Sequence, residues 1–541
     1  MVCIFYHLSK EKKRVWAVSL AIVIRQLLLV YNMTINARSL NALIAFNFSE
    51  FIKQNVYLVI LWSIIVMMDI RIKISKENLI QDLIIEIKQT ISNHLKNQNY
   101  RQYHKHSEGT YLSWLNNDMQ LIETKGFNQF FNIVQGLAGI TFAVISLFMY
   151  HWSLTIVVAL GASVMMLVPK LFSDKIKTSS QALAQSNAEY VEEVEDTLHG
   201  FNVFFGLNIL RRLPKKIYTA AIGLKQSIME QTKVEAFSFS VGFAINVLAQ
   251  IGITFYAGLL AFNGVVLIGT IEATGGLTDI IFNSLSQLSN QITLINGVTP
   301  VFDKFKQMDA RELEDFSRIA EQVDNQKTSI VFSGNQVSFA YEDKQVFSNL
   351  TFTIHQGQKY LIKGPSGCGK STFLKVLASY LQTYEGDIQY FGQQLSVIPS
   401  HIIRDQIMYI DQTPYLFNQT VRENISLGDK FTDEAIVDSL VRAGFSENRA
   451  NELIDYQVSG NGKNLSGGQK QRITLARGLI RNKHILLMDE STSAIDQKTA
   501  LEVQERILAL PELTVMMISH QTSEDVRKLF DEVINFPNDL I

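Results

Sequence analysis

Six long apolar stretches dominate the first half of the chain. Each approaches the ~20 mostly apolar residues that a helix needs to cross a bilayer. Wide polar gaps follow the second and the fourth stretch, a pattern that favours membrane spans over buried core helices. The predicted spans are Val15–Ile35, Phe51–Ile70, Asn128–Tyr150, Trp152–Phe172, Ala236–Ala261 and Gly269–Ile295.

The two wide gaps are themselves helical in pattern. In the first gap, Leu79, Leu83, Ile87, Ile91 and Leu95 recur at three- and four-residue spacing. This spacing predicts an amphipathic helix. The second gap is polar and compatible with a helix. We therefore expect the spans to continue as helices well beyond the bilayer.

Basic residues cluster in the N-terminal segment and in the two wide gaps, whereas the short connections carry Arg38 alone or no Lys or Arg. Short cytoplasmic loops are rich in Lys and Arg. We therefore expect a multi-pass protein of the cytoplasmic (inner or plasma) membrane, with both termini in the cytoplasm. The net charge of -2 gives no basic field that predicts a nucleic-acid partner. The two cysteines, Cys3 and Cys368, do not provide a disulfide framework.

The sixth predicted span is the least apolar. Its polar side chains recur at helical spacing, and polar groups in lipid usually face a bundle interior or a water-filled cavity. Two interpretations stay open: a substrate pathway, and hydrogen bonding between helices. Arg25 in the first span is a single charge that pairing with another helix would explain. The candidate pathway residues are Asp279, Asn283, Gln287 and Asn290.

The second half contains a phosphate-binding loop. The strand-like run Tyr360–Ile362 leads into a G-x-x-x-x-G-K-[ST] sequence and then a helical pattern, which is the context that such a loop requires. Its backbone N–H groups would surround phosphate oxygens. Lys370 would reach the β- and γ-phosphates, and the Ser371 hydroxyl would ligate Mg²⁺. The loop consists of Gly364, Pro365, Ser366, Gly367, Cys368, Gly369, Lys370, Ser371 and Thr372.

A second run of chemistry follows an apolar strand that begins at His484 and ends in Asp489 and Glu490. A continuous apolar run is typical of a parallel strand covered on both faces. Ligands bind at the carboxyl ends of such strands. Asp489 is therefore expected to hold Mg²⁺, usually through water, and Glu490 to polarise the attacking water.

A third run is predicted to begin a helix and to bind an anion. Ser466 is expected to cap a helix that continues through Gln471, Ile473 and Leu475. Its glycines would expose N–H groups at the helix start, which makes an anion site. One chain thus carries two phosphate-binding elements, and the second most simply serves a nucleotide on another subunit. The run consists of Leu465, Ser466, Gly467, Gly468 and Gln469.

These runs, in this order and spacing, resemble ATP-binding cassette (ABC) transporters, specifically exporter-type half-transporters of the type IV fold among bacterial peptide and multidrug exporters. The resemblance covers essentially the whole chain. It implies an α-helical six-span membrane domain over residues 1–305, a linker over 306–327, and an α/β P-loop ATP-binding cassette domain over 328–541.

The resemblance also implies residue roles. Tyr341 would stack on adenine, Gln412 would approach Mg²⁺ and the attacking water, and His520 would hold the γ-phosphate. Asp496 ends a run that resembles the D-loop, and Ser466 with its neighbours would contact the γ-phosphate bound by the opposite subunit. The implied catalytic set is Glu490, His520, Gln412 and Lys370, and the implied metal set is Ser371, Gln412 and Asp489.

Two segments of the first half resemble the coupling loops of exporters, Gly109–Asp118 and Gly206–Leu213. They would dock on the partner's nucleotide domain near Tyr415–Phe417. The run Gln457–Gly462 departs from the family's pattern because it lacks the acidic residue that exporters often carry there.

The implied function is ATP-driven export of a peptide or amphipathic small molecule by alternating access, with ATP and Mg²⁺ as cofactors. A lean to peptide rests on overall similarity. The alternatives are export of a lipid or drug, import of a metal chelate, and a non-transporting ABC protein. The partners would be membrane lipid, the substrate and a second half-transporter subunit. A homodimer is favoured because the motifs are intact, and a heterodimer is the alternative.

Overall fold

The structure is a computed structural model that describes residues 2–306, 329–341, 344–489, 504–519 and 527–536. The predicted linker, apart from its first residue, lies outside the described residues. The chain divides into two compact units. Met1–Lys96 and Ser107–Arg311 form one, called here the helical unit. Asn97–His106 and Glu312–Ile541 form the other, the α/β unit.

Long helices build the helical unit, and each predicted span falls inside one of them. The described helices up to residue 306 are α1 (Val2–Lys10), α2 (Lys12–Ile44), α3 (Phe48–Asn97), α4 (Tyr100–Tyr103), α5 (Glu108–Ser113), α6 (Met119–Leu121), α7 (Asn128–Tyr150), α8 (Trp152–His199), α9 (Phe201–Gly206), α10 (Arg212–Phe262) and α11 (Gly269–Lys306), with π-helical turns at Trp114–Asp118 and Ile122–Phe127. Of these, α4 belongs to the α/β unit.

The amphipathic helix predicted in the first wide gap is confirmed. It is the second part of α3, which runs unbroken for 50 residues. At 1.5 Å per residue α3 is roughly 75 Å long, more than twice the ~30 Å of a hydrocarbon core. Leu79, Leu83, Ile87 and Ile91 are at most 2% exposed and pack in one hydrophobic cluster. Burial of this hydrophobic stripe therefore stabilises the part of α3 that continues beyond its apolar span.

The surface of the helical unit is apolar where a soluble protein would be polar. Phe148, Leu160 and Phe262 are more than 60% exposed, whereas Thr274 and Thr278 are buried. Such a distribution suits a lipid environment. Three described stretches are long and apolar enough to cross a membrane, Lys12–Ile44, Glu108–Tyr150 and Arg212–Phe262, and Trp152–Met165 is a shorter apolar helix. The count of six spans stays a prediction.

Two sheets form the framework of the α/β unit. Its described strands are β1 (Ile330–Tyr341), β2 (Lys344–His355), β3 (Lys359–Lys363), β4 (Glu385–Tyr390), β5 (Gln393–Gln394), β6 (Ile407–Ile410), β7 (Ile485–Asp489), β8 (Thr514–Ile518) and β9 (Glu532–Asn535). Its helices from the phosphate-binding loop onwards are α12 (Lys370–Leu377), α13 (Ser400–Gln406), α14 (Val421–Ser426), α15 (Asp433–Arg442), α16 (Glu447–Leu453) and α17 (Gly467–Leu479).

The larger sheet is parallel, with the strand order β6-β7-β8-β3-β9. The smaller sheet is antiparallel, with the order β2-β1-β4-β5. All five residues of β7 are buried, and its side chains alternate between two hydrophobic clusters. The prediction of a central strand covered on both faces is therefore confirmed.

The predicted first coupling loop lies in the helical unit, and its docking on the partner's nucleotide domain stays a prediction. Gly109–Asp118 is helical and belongs to the helical unit. There Lys304 of α11 donates to Asp118 at 2.8 Å and lies 4.4 Å from the ring centroid of the buried Trp114. The segment that belongs to the α/β unit is Asn97–His106, between α3 and α5 in the sequence. In the second predicted loop, the short helix α9 exposes Phe205, and α10 begins at Arg212.

Candidate nucleotide-binding site

The phosphate-binding loop has the predicted context of strand, loop and helix. It joins β3 to α12, and Gly369 precedes the helix in a left-handed conformation with φ of 101°. Gly367 also has a positive φ, of 81°. Such backbone angles favour glycine because they strain residues that carry a Cβ. The loop therefore leads into the N-terminus of α12, where the backbone N–H groups of a helix attract anions.

Lys370 places its ammonium group inside the loop. Its side chain is 5% exposed, and Nζ donates to the carbonyl oxygens of Gly364 at 2.9 Å and Pro365 at 2.8 Å. A buried ammonium group is costly unless it is paired. Two carbonyl groups offer only partial compensation, so a phosphate oxygen is a better partner for this charge.

The Asp489 carboxylate links the loop to the neighbouring strands. Ser371 Oγ donates to Asp489 Oδ1 at 2.8 Å. Tyr409 OH donates to Asp489 Oδ2 at 3.0 Å. Burial, followed by the charge of Asp489, raises the pKa of Tyr409 far above its usual value. The phenol therefore stays protonated and acts as the donor. Both carboxylate oxygens of Asp489 are thus held.

The donor set at this point fits Mg²⁺. A hydroxyl group and a carboxylate are hard oxygen ligands, and Mg²⁺ usually takes one or two carboxylates together with substrate phosphates and water. Among the described residues, no group of three or more His, Cys, Asp and Glu side chains forms a metal site. One hydroxyl group and one carboxylate, as Ser371 and Asp489 supply, suit an ion that phosphate and water also ligate.

Gln412 lies at the same edge of the parallel sheet as Asp489. It follows β6, which pairs in parallel with β7, and Ile410 pairs with Met488. The side chain of Gln412 is exposed, and its backbone N–H donates to Asp411 Oδ1 at 2.8 Å. Carboxyl ends of adjacent parallel strands meet at one edge.

Tyr341 ends β1, is 45% exposed and has its ring edge-on to Phe339.

The predicted helix cap at Ser466 is confirmed. Ser466 Oγ accepts from the Gln469 N–H at 3.2 Å, and the Ser466 N–H donates to Gln469 Oε1 at 2.9 Å. This reciprocal pair is a capping box. Ser466 itself is exposed, while Gly468 is buried. A serine hydroxyl retains its own donor when its oxygen accepts a bond, so Ser466 can still donate to an anion in front of α17.

Arg477 anchors this helix to the segment after Gln412. Its guanidinium group donates to the Asn424 carbonyl oxygen at 2.5 Å, to Asn424 Oδ1 at 2.6 Å and to the Tyr415 carbonyl oxygen at 2.7 Å. Burial lowers the pKa of Arg477 to about 10. Tyr415 and Phe417 remain exposed above it. The surface predicted to receive a coupling loop is therefore tied directly to α17, the helix predicted to bind an anion.

Amide groups connect the run without the acidic residue to the same surface. Asn464 Nδ2 donates to the Gln457 carbonyl oxygen at 2.8 Å. The Asn461 N–H donates to Asn418 Oδ1 at 3.0 Å, and Tyr415 OH donates to Asn461 Oδ1 at 3.3 Å. Neutral hydrogen bonds thus hold a segment for which the family's pattern predicts a carboxylate.

Several predicted residues lie outside the described part of the chain. They are Glu490, Asp496 and His520, and their positions relative to the loop are therefore not given. The described residues bring together Lys370, Ser371 and Asp489. The roles of all these residues stay predictions.

The polar row on α11 forms hydrogen bonds within its own helix and with α10. Asn283 Nδ2 donates to Asp279 Oδ1 at 2.8 Å, and Gln250 of α10 donates to the same oxygen at 3.3 Å. Asp279, Asn283, Gln287 and Asn290 are all exposed. Asp279 lies about ten residues into α11, roughly 15 Å from the start of that helix. If α11 spans the membrane as predicted, an ionisable residue at this position is a functional candidate.

Arg25 is not alone in the helical unit. Its Nε donates to Asp69 Oδ1 at 2.6 Å and its Nη2 donates to Asp69 Oδ2 at 3.1 Å, so the pair is bidentate. Nη1 donates to Gln26 Oε1 at 2.8 Å. The expectation that Arg25 pairs with another helix is therefore confirmed, and the ion pair joins α2 to α3.

Sequence reasoning did not identify Tyr409 or Asp69. Tyr409 follows the alternation of β6, in which Met408 and Ile410 enter one hydrophobic cluster and Tyr409 packs against the other. That alternation could have placed Tyr409 on the face of the phosphate-binding helix. Asp69 lies nearly as far from the turn between α2 and α3 as Arg25 does. Equal distance from that turn was the available signal.

Comparison with known families assigns both halves of the chain. Residues 347–493 match the family described as ABC transporter, and residues 15–285 match the family described as ABC transporter transmembrane region. The two matches are consecutive, and the second spans half of the chain.

Curated relatives align along most of the chain. An ATP-dependent lipid A-core flippase of Haemophilus ducreyi is 24% identical over 82% of this chain and 77% of its own length. The multidrug resistance-like ATP-binding protein MdlA of Buchnera aphidicola is 23% identical over 82% of this chain and 77% of its own length. The uncharacterized ABC transporter ATP-binding protein YwjA of Bacillus subtilis is 25% identical over 81% and 76%, respectively.

Proposed function

The chain belongs to the ABC transporter family, and on that premise we propose that it exports an amphipathic substrate by ATP-driven alternating access. It combines a transmembrane region with an ABC ATPase domain in the arrangement of exporter-type half-transporters, and it hydrolyses ATP to drive transport. The observation that carries the proposal is the contact of Ser371 with Asp489 beside the buried Lys370.

The proposed chemistry depends on positioning and electrostatics, as in other phosphoryl transfers. Lys370 and the N–H groups of the loop bind the β- and γ-phosphates, and Tyr341 stacks on adenine. Ser371, Asp489 and Gln412 hold Mg²⁺, which when bound neutralises charge that develops on the phosphates.

The remaining catalytic residues are Gln412, at the edge of the parallel sheet, and Glu490 and His520, which lie outside the described residues. Gln412 orients the attacking water, Glu490 polarises it, and His520 holds the γ-phosphate. Glu490 and His520 carry these roles by their positions in the family's motifs, and Asp496 is assigned to the D-loop on the same ground. The predicted domain limits, 1–305, 306–327 and 328–541, belong to the same proposal.

We propose a head-to-tail dimer as the working unit. Ser466 caps α17, and its hydroxyl and the N–H groups at the start of that helix would form an anion site. In a dimer this site closes over the γ-phosphate bound by the other subunit. A homodimer suffices because each chain brings both halves of the site, and a heterodimer is the alternative.

The substrate is proposed to pass along the polar row of α11. Asp279 and Asn283 are exposed on a helix that is predicted to span the membrane, where lipid would offer their side chains no hydrogen bonds. Gln287 and Asn290 continue the row towards the end of α11. Contact with Gln250 accounts for part of the polar character, but an exposed carboxylate and exposed amides also suit a water-filled pathway.

The class of substrate is where the relatives modify the sequence interpretation. The names of two of them, a lipid A-core flippase and a multidrug resistance-like protein, refer to lipid and drug transport. They favour a lipid or a drug over the peptide to which overall similarity leaned. We therefore propose an amphipathic lipid or small molecule as the first class to test, and a peptide as the second.

The test is substrate-stimulated ATPase activity of the purified protein in proteoliposomes. A panel would contain amphipathic drugs, lipids with large polar head groups, and secreted-type peptides. Stimulation by one class identifies the substrate class. If the protein hydrolyses ATP but no class changes its rate, or if vesicle assays show movement into the cytoplasmic compartment, export of an amphipath is refuted.

A further inference from the structure

Three tyrosines form a continuous row in the α/β unit that ends at Asp489. Tyr409 and Tyr380 have ring centroids 5.2 Å apart with an interplanar angle of 52°. Tyr380 and Tyr100 are stacked, with centroids 4.9 Å apart and an angle of 26°. Aromatic pairs interact favourably at centroid distances of about 4.5–7 Å. At the other end of the row, Tyr409 OH donates to Asp489.

The first tyrosine belongs to a segment that the sequence places between two long helices of the helical unit. Tyr100 begins α4, which Asn99 and Gln102 cap reciprocally. Lys375 Nζ of α12 lies 5.9 Å from the centroid of the Tyr100 ring, and Arg101 Nη1 donates to Thr383 Oγ1 at 3.4 Å. The short helix α4 is thus closed by its own cap. Two residues that flank Tyr380 in the sequence, Lys375 and Thr383, hold it in the α/β unit.

The middle of the row lies at the end of the phosphate-binding helix. α12 begins with Lys370 and Ser371 and ends at Leu377, and Tyr380 follows it directly. Ser371 holds one oxygen of Asp489, while the row of tyrosines holds the other. The Asp489 carboxylate is therefore linked both to the first turn of α12 and, through Tyr409, to the row of tyrosines.

We infer that Tyr409 is a positioning residue for Asp489, and that the row Tyr100–Tyr380–Tyr409 makes the orientation of that carboxylate depend on the position of α4. The inference rests on the proposed Mg²⁺-dependent hydrolysis at this loop. Groups that hydrogen-bond a metal ligand typically change metal affinity or activity by about 10–100-fold when removed. The phenol of Tyr409 stands in that relation to Asp489.

The first test removes the hydroxyl group and keeps the ring. We expect Tyr409→Phe to raise the Mg²⁺ concentration for half-maximal ATPase activity about tenfold. Binding of ATP in EDTA should stay at the wild-type level, because the phosphate loop is unchanged. Binding of Mn²⁺ in the presence of ADP, followed by electron paramagnetic resonance, should weaken by a similar factor and does not require turnover.

The matched control is Tyr380→Phe. It removes the same atom from the next ring in the row and keeps both ring contacts. We expect wild-type Mg²⁺ dependence in this variant. Unchanged Mn²⁺ and Mg²⁺ dependence in Tyr409→Phe would overturn the positioning role. A wild-type protein without ATPase activity would instead refute the proposed function, and the two failures are therefore distinguishable.

The second test addresses transmission along the row. Tyr100→Phe keeps the ring and should behave as wild type, whereas Tyr100→Leu removes it and should weaken Mn²⁺ binding severalfold. Combined with Tyr409→Phe, Tyr100→Leu should cause no further loss, because the row is already separated from Asp489. Coupled residues deviate from additivity in this way. Additive losses, or wild-type Mn²⁺ binding in Tyr100→Leu, would overturn transmission from α4.

Discussion

The glycines of the phosphate-binding loop should be required for two different physical reasons, and alanine substitutions separate them. At Gly364 the reason is space. A Cβ atom there would overlap the carbonyl oxygen of Phe536 and would lie 3.1 Å from Cys368 Sγ. The same Phe536 donates its N–H to the Lys363 carbonyl oxygen at 2.6 Å. The obstacle is therefore backbone that is itself hydrogen-bonded to the end of β3, the strand that leads into the loop.

At Gly367 the reason is backbone conformation alone. Its φ is 81°, but a Cβ atom would meet nothing within 4 Å. Gly369 combines both constraints, because its φ is 101° and a Cβ atom would lie 2.8 Å from Val346 Cγ1. A left-handed conformation costs a residue with Cβ about 1–2 kcal/mol. Forcing an extra atom into a packed site typically costs about 1–3 kcal/mol.

These costs translate into an order of effects on ATP affinity. Since about 1.4 kcal/mol corresponds to a factor of ten, Gly367→Ala should weaken ATP binding by roughly 5–30-fold. Gly369→Ala should weaken it more, because both costs apply. Gly364→Ala should also lower the thermal unfolding temperature of the nucleotide-free protein, since it separates the loop from the end of β9. Gly367→Ala should leave that temperature nearly unchanged, because nothing packs against its Cβ position and the nucleotide-free loop can relax, so that the backbone cost arises mainly when ATP binds.

The assay is ATP binding by fluorescence titration, together with thermal unfolding of the same detergent-purified samples. A useful control is Gly223→Ala on α10, where a Cβ atom meets nothing within 4 Å and the backbone is helical. Wild-type ATP affinity and unfolding temperature in Gly364→Ala would refute the steric reasoning. Equal unfolding losses in Gly364→Ala and Gly367→Ala would refute the separation of the two causes.

Three further predictions address other parts of the protein. Glu490→Gln should retain ATP binding and nearly abolish steady-state hydrolysis; turnover at the wild-type rate would make the assignment wrong. Replacing both Asp279 and Asn283 with Leu should alter substrate-stimulated ATPase activity more than basal activity, whereas equal effects would favour hydrogen bonding between helices. Arg25→Leu alone should lower the unfolding temperature more than the double variant Arg25→Leu with Asp69→Leu, because the single change leaves the Asp69 carboxylate without its bidentate partner. A double variant less stable than the single variant would contradict this.

Local patterns in the sequence predicted what depends on near neighbours. The stripe from Leu79 to Ile91 predicted the second part of α3, because helical spacing and burial are linked through a single helix. Ser466 predicted a helix start because a helix cap acts within the first turn, and the structure adds the reciprocal contact of Gln469. The strand that ends at Asp489 followed from a continuous apolar run.

Contacts between distant segments were harder to predict. Gly109–Asp118 was predicted to dock on the partner's nucleotide domain, whereas the packing of Tyr100 within the α/β unit was not predicted. Both segments are polar and helical, so composition does not distinguish them. The two segments differ in the residues that contact their aromatic rings. Lys304 lies over the ring of Trp114, and Tyr380 stacks on Tyr100. Both of these contacting residues come from far along the chain. Tyr409 was missed for the same reason, because its donor role exists only when β6 and β7 pair.

The central claim is that ATP hydrolysis at the loop drives an amphipathic substrate out of the cytoplasm. Its most direct test is accumulation of the stimulating substrate in inside-out proteoliposomes that contain either the wild-type protein or Glu490→Gln. We predict accumulation that needs ATP and Mg²⁺ in the wild type and is lost in the variant. Equal accumulation in both proteins, or none in a wild type that hydrolyses ATP in response to the substrate, would contradict the claim.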